Sequence, residues 1–355
     1  MLASSAFARR ETTARFFTRS GHDGMPARTS IREYQEPSLT LVFIKTRWLM
    51  RAAMLAGGGV IGLCGTELLV RAFVTVRDVG PALTEYDPVF GQRLKRNFRC
   101  VRETPEFHMR FSSNSLGWRG PEPAAPEAEI VFLGDSFTMG YGVDEGLEFP
   151  QLLANALGKS VVNMGVGGTG NGRWPLILRG DAGSFEPETV VLQLCSNDPE
   201  DDMTEGLASL DPRGEIVHHL PSPPSAGRHV QDVLEAFPWL GYSHLLGLWR
   251  QYRIREARSS DAVVLASAEG LALAQALLGQ SIRCCVERTW KVIVFSADMS
   301  PSEAAPFADI CRREGVPFLR MLSKGEAPEL YFAVDGHWTE AGHRRAAELL
   351  APLLR

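Results

Sequence analysis

The sequence predicts an α/β fold: a three-layer α/β/α sandwich around a mainly parallel sheet, preceded by one apolar helix near the N-terminus. Three observations carry this reading. Short apolar runs such as Ile130–Leu133 are too brief for helices and suit strands buried on both faces. From residue 130 onward such runs alternate with amphipathic helical stretches, the rhythm of a parallel sheet whose crossovers are helices. A Gly-Asp-Ser turn follows the first run directly, at the carboxyl end of a strand, where open parallel sheets hold their ligands.

Residues 1–50 carry eight Lys or Arg (Arg9, Arg10, Arg15, Arg19, Arg28, Arg32, Lys45, Arg47) against Glu11, Asp23, Glu33 and Glu36, with no hydrophobic period before about Leu39. We read them as a basic, disordered segment, or one absent from the mature protein. Residues 51–73 are the expected membrane anchor. Ala52–Thr66 holds no charge, and counting on through Val70 approaches the ~20 residues that a spanning helix needs. A cleaved signal or a buried helix are the alternatives. The preceding Lys and Arg would keep the N-terminus cytoplasmic and put the rest on the extracytoplasmic side, periplasmic or extracellular.

Residues 74–127 read as an N-terminal extension ending in a Pro/Ala/Glu-rich linker, and 128–355 as the main domain. Strands are expected at 130–134, 160–165, 189–195, 291–297 and 316–322. Helices are expected near Leu147–Leu157, over 302–315 and over 339–355, each with apolar residues at helical spacing. The span 199–288 breaks the rhythm with an acidic run, "LPSPPSAG" and two helical segments, so it is read as an insertion lying over the strand ends.

Composition narrows the partners. A formal charge of −5 and a pI near 6.0 give no basic field of the kind a nucleic-acid binder shows. The six cysteines form no CxxC pair, so neither a zinc site nor a disulfide framework is indicated, and most are expected to be buried thiols. No cofactor or metal is called for.

The chemistry gathers at strand ends. Ser136 is a candidate nucleophile, but a serine needs a base, usually a histidine oriented by a carboxylate. Of eight histidines, His337 stands two residues after Asp335 in "AVDGHWTEAGH". His343 is expected on the helix surface, and His218 and His219 have no recognisable partner. Oxyanion donors could come from "NMGVGGTGNG" after the second strand, whose glycines let backbone N–H groups face a bound oxygen, and from Asn197 after the third.

Taken in order, Ser136, the Gly-rich loop, Asn197, Asp335 and His337 resemble the SGNH/GDSL hydrolase superfamily. Gly134-Asp135-Ser136 matches its first block. Counting from Asn163 places the oxyanion glycine at Gly168, with Gly165 as the second choice. Cys195-Ser196-Asn197-Asp198 stands where the family normally has GxND, and "DGHW" where it usually has DxxH. The D-x-H-W form, and "NSLGWRGPE" shortly before GDSF, resemble a membrane-anchored bacterial subgroup similar to polysaccharide O-acetylation factors. The resemblance implies a flavodoxin-like SGNH fold and a serine esterase with Ser136, Asp335 and His337 as catalytic residues. Ser136, Gly168 and Asn197 would form the oxyanion hole. The implied substrate is an acylated small molecule or glycan. An O-acetyltransferase, which would need a multi-span membrane protein as acyl donor, and a non-catalytic carbohydrate-binding component are the alternatives.

Overall fold

The structure, a computed structural model, describes residues 39–76, 79–123, 128–222, 233, 236–261 and 268–355. Most of the expected disordered segment, part of the linker, and part of the insertion's second helical segment fall outside these residues. The chain divides into two compact units, residues 1–60 and 61–355. A 35-residue helix, Leu39–Phe73, crosses that boundary, and its Arg47–Phe73 stretch is long and apolar enough to span a membrane.

The sheet is built from apolar runs, as their composition dictates. Eleven strands are assigned among the described residues: β1 (Thr84–Asp87), β2 (Gly91–Leu94), β3 (Arg99–Glu103), β4 (His108–Ser112), β5 (Ile130–Leu133), β6 (Val161–Asn163), β7 (Thr189–Cys195), β8 (Ala208–Leu210), β9 (Ile216–His218), β10 (Lys291–Ala297) and β11 (Phe318–Arg320). Five of them form one parallel sheet in the order β11-β10-β7-β5-β6. All residues of β5 and β7 are buried, which explains why β5 reads as a continuous apolar run and β7 as one broken only by Thr189 and Gln193, rather than as alternating strands.

Helices cover both faces. On one side Val131, Leu133, Leu192 and Val294 pack against Ile177 of helix Trp174–Arg179, Leu278 of helix Ala268–Glu287 and Phe307 of helix Pro301–Glu314. On the other, Ile130, Phe132, Val191 and Phe295 meet Phe149 and Leu153 of helix Phe149–Leu157, and Ala346 and Leu350 of helix Glu340–Leu354. The expected strands at 189–195 and 291–297 appear with the same bounds, whereas the other three are shorter by up to four residues.

Three expectations are corrected. The extension at 74–127 contains two antiparallel hairpins, β1–β2 and β3–β4, and its Phe90, Leu94, Met109, Phe111 and Trp118 join the main core cluster. The end of the supposed insertion is no cover over the strand ends. Helix Ala268–Glu287 is the crossover from β7 to β10 and buries Leu273, Leu277, Leu278 and Ile282. His343 is fully buried rather than on the surface, with its Nδ1 accepting from the Phe149 N–H at 3.3 Å.

Candidate active site

The strand order reverses at β5: the chain passes from β5 to β6 on one side and then to β7 on the other. Ligand crevices form at such reversals, beyond the carboxyl ends of the strands. Ser136 stands there, at the start of the short helix Ser136–Met139, whose cap is Asp135 accepting from the Phe137 N–H at 2.9 Å. Glycine is required at 134. A Cβ there would come within 2.3 Å of Thr138 Oγ1 and 2.4 Å of Gln193 Oε1.

Asp335 and His337 sit in a tight loop between the bridged residues Tyr331 and Trp338. Phe332 N–H donates to the His337 carbonyl at 2.8 Å, Gly336 N–H donates to the Phe332 carbonyl at 3.1 Å, and Gly336 takes φ of 93°. That left-handed turn suits glycine and closes the shortened D-x-H spacing. Trp338 is fully buried and packs on Phe137, so the loop is pinned to the helix that carries the serine.

The two segments bring three side chains into a line. His337 Nε2 lies 2.7 Å from Ser136 Oγ, and His337 Nδ1 lies 2.5 Å from Asp335 Oδ1. The rings of Phe137 and Tyr141 stand 5.2 and 4.9 Å from the imidazole, centroid to centroid. Burial pushes the Asp335 carboxyl up, but the hydrogen bond and charge of His337, with Lys324, outweigh it and hold the carboxyl below its ordinary range. The arrangement can move a proton from hydroxyl to imidazole while the carboxylate fixes the ring.

The family described as GDSL-like Lipase/Acylhydrolase matches residues 132–345, well over half of the chain. The chain belongs to the SGNH/GDSL hydrolase superfamily. Membership supports acyl-ester hydrolase activity in general. No curated protein matches it. Similar solved structures include TesA, 15% identical over 64% of this chain and 97% of its own (TM-score 0.39). A catalytic mutant of Axe2, an acetylxylan esterase from Geobacillus stearothermophilus, is 14% identical over 63% and 93% (TM-score 0.37). LAE5, an alpha/beta hydrolase enzyme from the metagenome of Lake Arreo, is 14% identical over 63% and 94% (TM-score 0.37).

The remaining candidate site residues fall in different places. Gly167 lies against Ser136, since a Cβ on it would meet Ser136 Cβ at 3.4 Å, and Gly168 follows with φ of 70°. Gly165 is deeper, and its N–H is committed to Asn163 Oδ1 at 3.1 Å. Asn197 precedes helix Asp198–Glu205 and donates from Nδ2 to Asp201 Oδ2 at 2.6 Å. Cys195, where the family normally has glycine, is buried at the end of β7 beside Asp135. Burial and the Asp135 and Asp198 carboxylates push its thiol far up, so it stays protonated and is no competing nucleophile.

Three residues that motif reasoning missed hold this machinery. Gln193 Oε1 accepts from Thr138 Oγ1 at 2.7 Å and from the N–H groups of Thr138 and Asp135, tying the serine turn to the central strand. A lone glutamine inside "TVVLQLC" was the available signal. Arg119, fully buried, donates to the carbonyls of Met139, Gly140 and Val143, clamping the end of the serine's helix. Glu106, in the turn between β3 and β4, accepts from the Asp335 N–H at 2.6 Å and the Val334 N–H at 2.9 Å. No motif marks it.

Proposed function

We propose that this protein is a serine esterase that works through an acyl-enzyme on Ser136, and that its acyl group is acetyl, carried on carbohydrate. The observation that carries the mechanism is the continuous line Ser136 Oγ, His337 Nε2, His337 Nδ1, Asp335 Oδ1, with contacts of 2.7 and 2.5 Å. Ser136 Oγ attacks the ester carbonyl and its proton passes to His337 Nε2, while Asp335 stabilises the imidazolium. The oxyanion is met by the Ser136 N–H, the Gly168 N–H and the Asn197 amide, whose second hydrogen serves because the first is given to Asp201. Collapse expels the alcohol, which takes the proton from His337. Water then attacks the acyl-enzyme by the same route, releasing the acid and restoring Ser136.

The strand order supports a flavodoxin-like doubly wound SGNH fold, with the site at its reversal point. The acetyl-carbohydrate assignment rests on the D-x-H-W resemblance, and the extracytoplasmic location on the charges that precede the anchor.

The test uses the full chain in detergent with p-nitrophenyl acetate and with acetylated glycans, following product release and the intact mass. Release and an acetyl adduct are expected, both disappearing in Ser136→Ala. His337→Ala should cost as much, and the double variant no more, because the residues act as a unit. An adduct persisting in Ser136→Ala, or inertness toward every ester, overturns the reading. Acetyl transfer to an added glycan exceeding hydrolysis would convert it to an O-acetyltransferase.

A further inference from the structure

The apolar helix does not end in open solvent. Glu67, inside the spanning stretch, accepts hydrogen bonds from Ser243 Oγ (2.8 Å), His244 N–H (2.8 Å) and Leu245 N–H (2.9 Å), and so caps the helix His244–Asp261. Arg71 donates to the Tyr242 carbonyl at 2.9 Å and pairs with Glu67. Val70, Val76 and Val79 pack against Leu245 and Leu248. A charged carboxylate in an apolar span is costly, and this one is satisfied by a helix N-terminus brought down to it.

These bonds fix a depth. Glu67 lies one helical turn before Arg71, about 6 Å along the axis, so whatever caps onto it sits at the level of the last charge of the span. From that fixed end onward the exposed surface of the helix and of the turn before it is aromatic. Leu245, Leu248, Trp249 and Tyr252 follow the i, i+3, i+4, i+7 spacing of one helical stripe. The anchor's end covers the first two, whereas Trp249 and Tyr252 are 49% and 63% exposed. The preceding turn Pro238–Tyr242 adds Trp239, 67% exposed, and Phe237 before it is half exposed. Beside them a recess of about 490 Å³, lined by Arg71, Tyr242 and His244 among others, leaves room for a headgroup.

We propose that Phe237–Tyr252 is an interfacial collar that rests in the headgroup region of the same bilayer that the anchor crosses, its partner being the phospholipid surface. The stripe is continuous with a face already docked on the anchor, and Trp and Tyr are the residues that membrane interfaces favour. This rests on the anchor reading above. The collar would hold the catalytic unit against the membrane instead of letting it swing on a tether.

The test is depth-resolved fluorescence on the full chain carrying Trp48→Phe, reconstituted in phosphatidylcholine–phosphatidylglycerol vesicles. Lipids brominated near the headgroup end of the acyl chain should quench the emission, and most of that quenching should disappear in the added Trp239→Phe/Trp249→Phe variant. Both tryptophans are exposed and lie outside the site, so these changes leave the fold and the esterase activity intact. Unquenched tryptophans that iodide reaches from the water, in a chain that floats with the vesicles, overturn the collar and leave the anchor standing. A chain that does not float overturns both.

Discussion

At the scale of single residues, the line from Ser136 to Asp335 depends on a side chain far from it in sequence. Asp335 keeps its place because Glu106 accepts its backbone N–H and that of Val334, while Phe107 packs on Phe332 at 5.0 Å. A hydrogen bond to a charged acceptor contributes about 1.5–3 kcal/mol, so Glu106→Ala should lower kcat roughly ten- to a hundredfold with KM little changed. Glu106→Gln, which keeps one carbonyl oxygen, should restore most of the rate. Steady-state kinetics on both variants decide it: a KM effect, or equal losses in both, would remove Glu106 as a positioning residue. Ser136, Asp335 and His337 were legible because the chemistry concentrates them in short motifs at strand ends. Glu106 was not, because its contact joins residues more than two hundred positions apart and a glutamate in a hairpin turn carries no signature.

At the scale of elements, the C-terminal helix Glu340–Leu354 docks on the sheet through a histidine. His343 is wholly buried, stacks on Phe149 and accepts that residue's N–H. Burial, with the charges of Arg119 and His337, drives its imidazole down from 6.5 to about 3. The unfolded chain therefore takes up this proton as pH falls below about 6.5, whereas the folded chain does so only near 3. Stability from this group is full above about 6.5 and is lost on acidification at about 1.4 kcal/mol per pH unit. The buried Asp198 and Asp202, whose carboxyls burial pushes far up, act with the opposite sign, so only a difference isolates the histidine. His343→Gln keeps an acceptor for the Phe149 N–H and cannot titrate. Denaturant midpoints between about pH 4 and 6.5 should fall less steeply in the variant, and parallel slopes would refute the assignment. The central strands were readable because burial on both faces leaves mostly apolar residues, Gln193 being the exception that serves the serine turn. The hairpins β1–β2 and β3–β4 were hidden by short length and interspersed charge, and the Pro-rich break at 221–224 hid not the second helical segment but its role as the crossover.

At the scale of the whole molecule, the proposed extracytoplasmic placement rests on the charges around the apolar span. Arg32, Lys45, Arg47 and Arg51 lie within about fifteen residues before the span or in its opening turns, while only Arg71 and Arg77 stand as close to its other end. Basic residues close to a span are retained in the cytoplasm, so this asymmetry supports the proposed outward placement of everything after Phe73. Glu67 does not oppose this: acidic residues contribute little to orientation, and its carboxylate is taken up by the helix it caps. An outward site also fits the proposed chemistry, because envelope glycans lie on that side. The outcome to expect is that protease added to right-side-out membrane vesicles degrades the catalytic unit, while inside-out vesicles protect it. Reversing the asymmetry, with Lys45, Arg47 and Arg51 changed to Gln and basic residues added after Phe73, should invert the pattern. Protection in right-side-out vesicles of the unaltered chain would place the esterase in the cytoplasm and remove envelope glycans as its substrate, while leaving Ser136, His337 and Asp335 free to cleave a cytoplasmic ester.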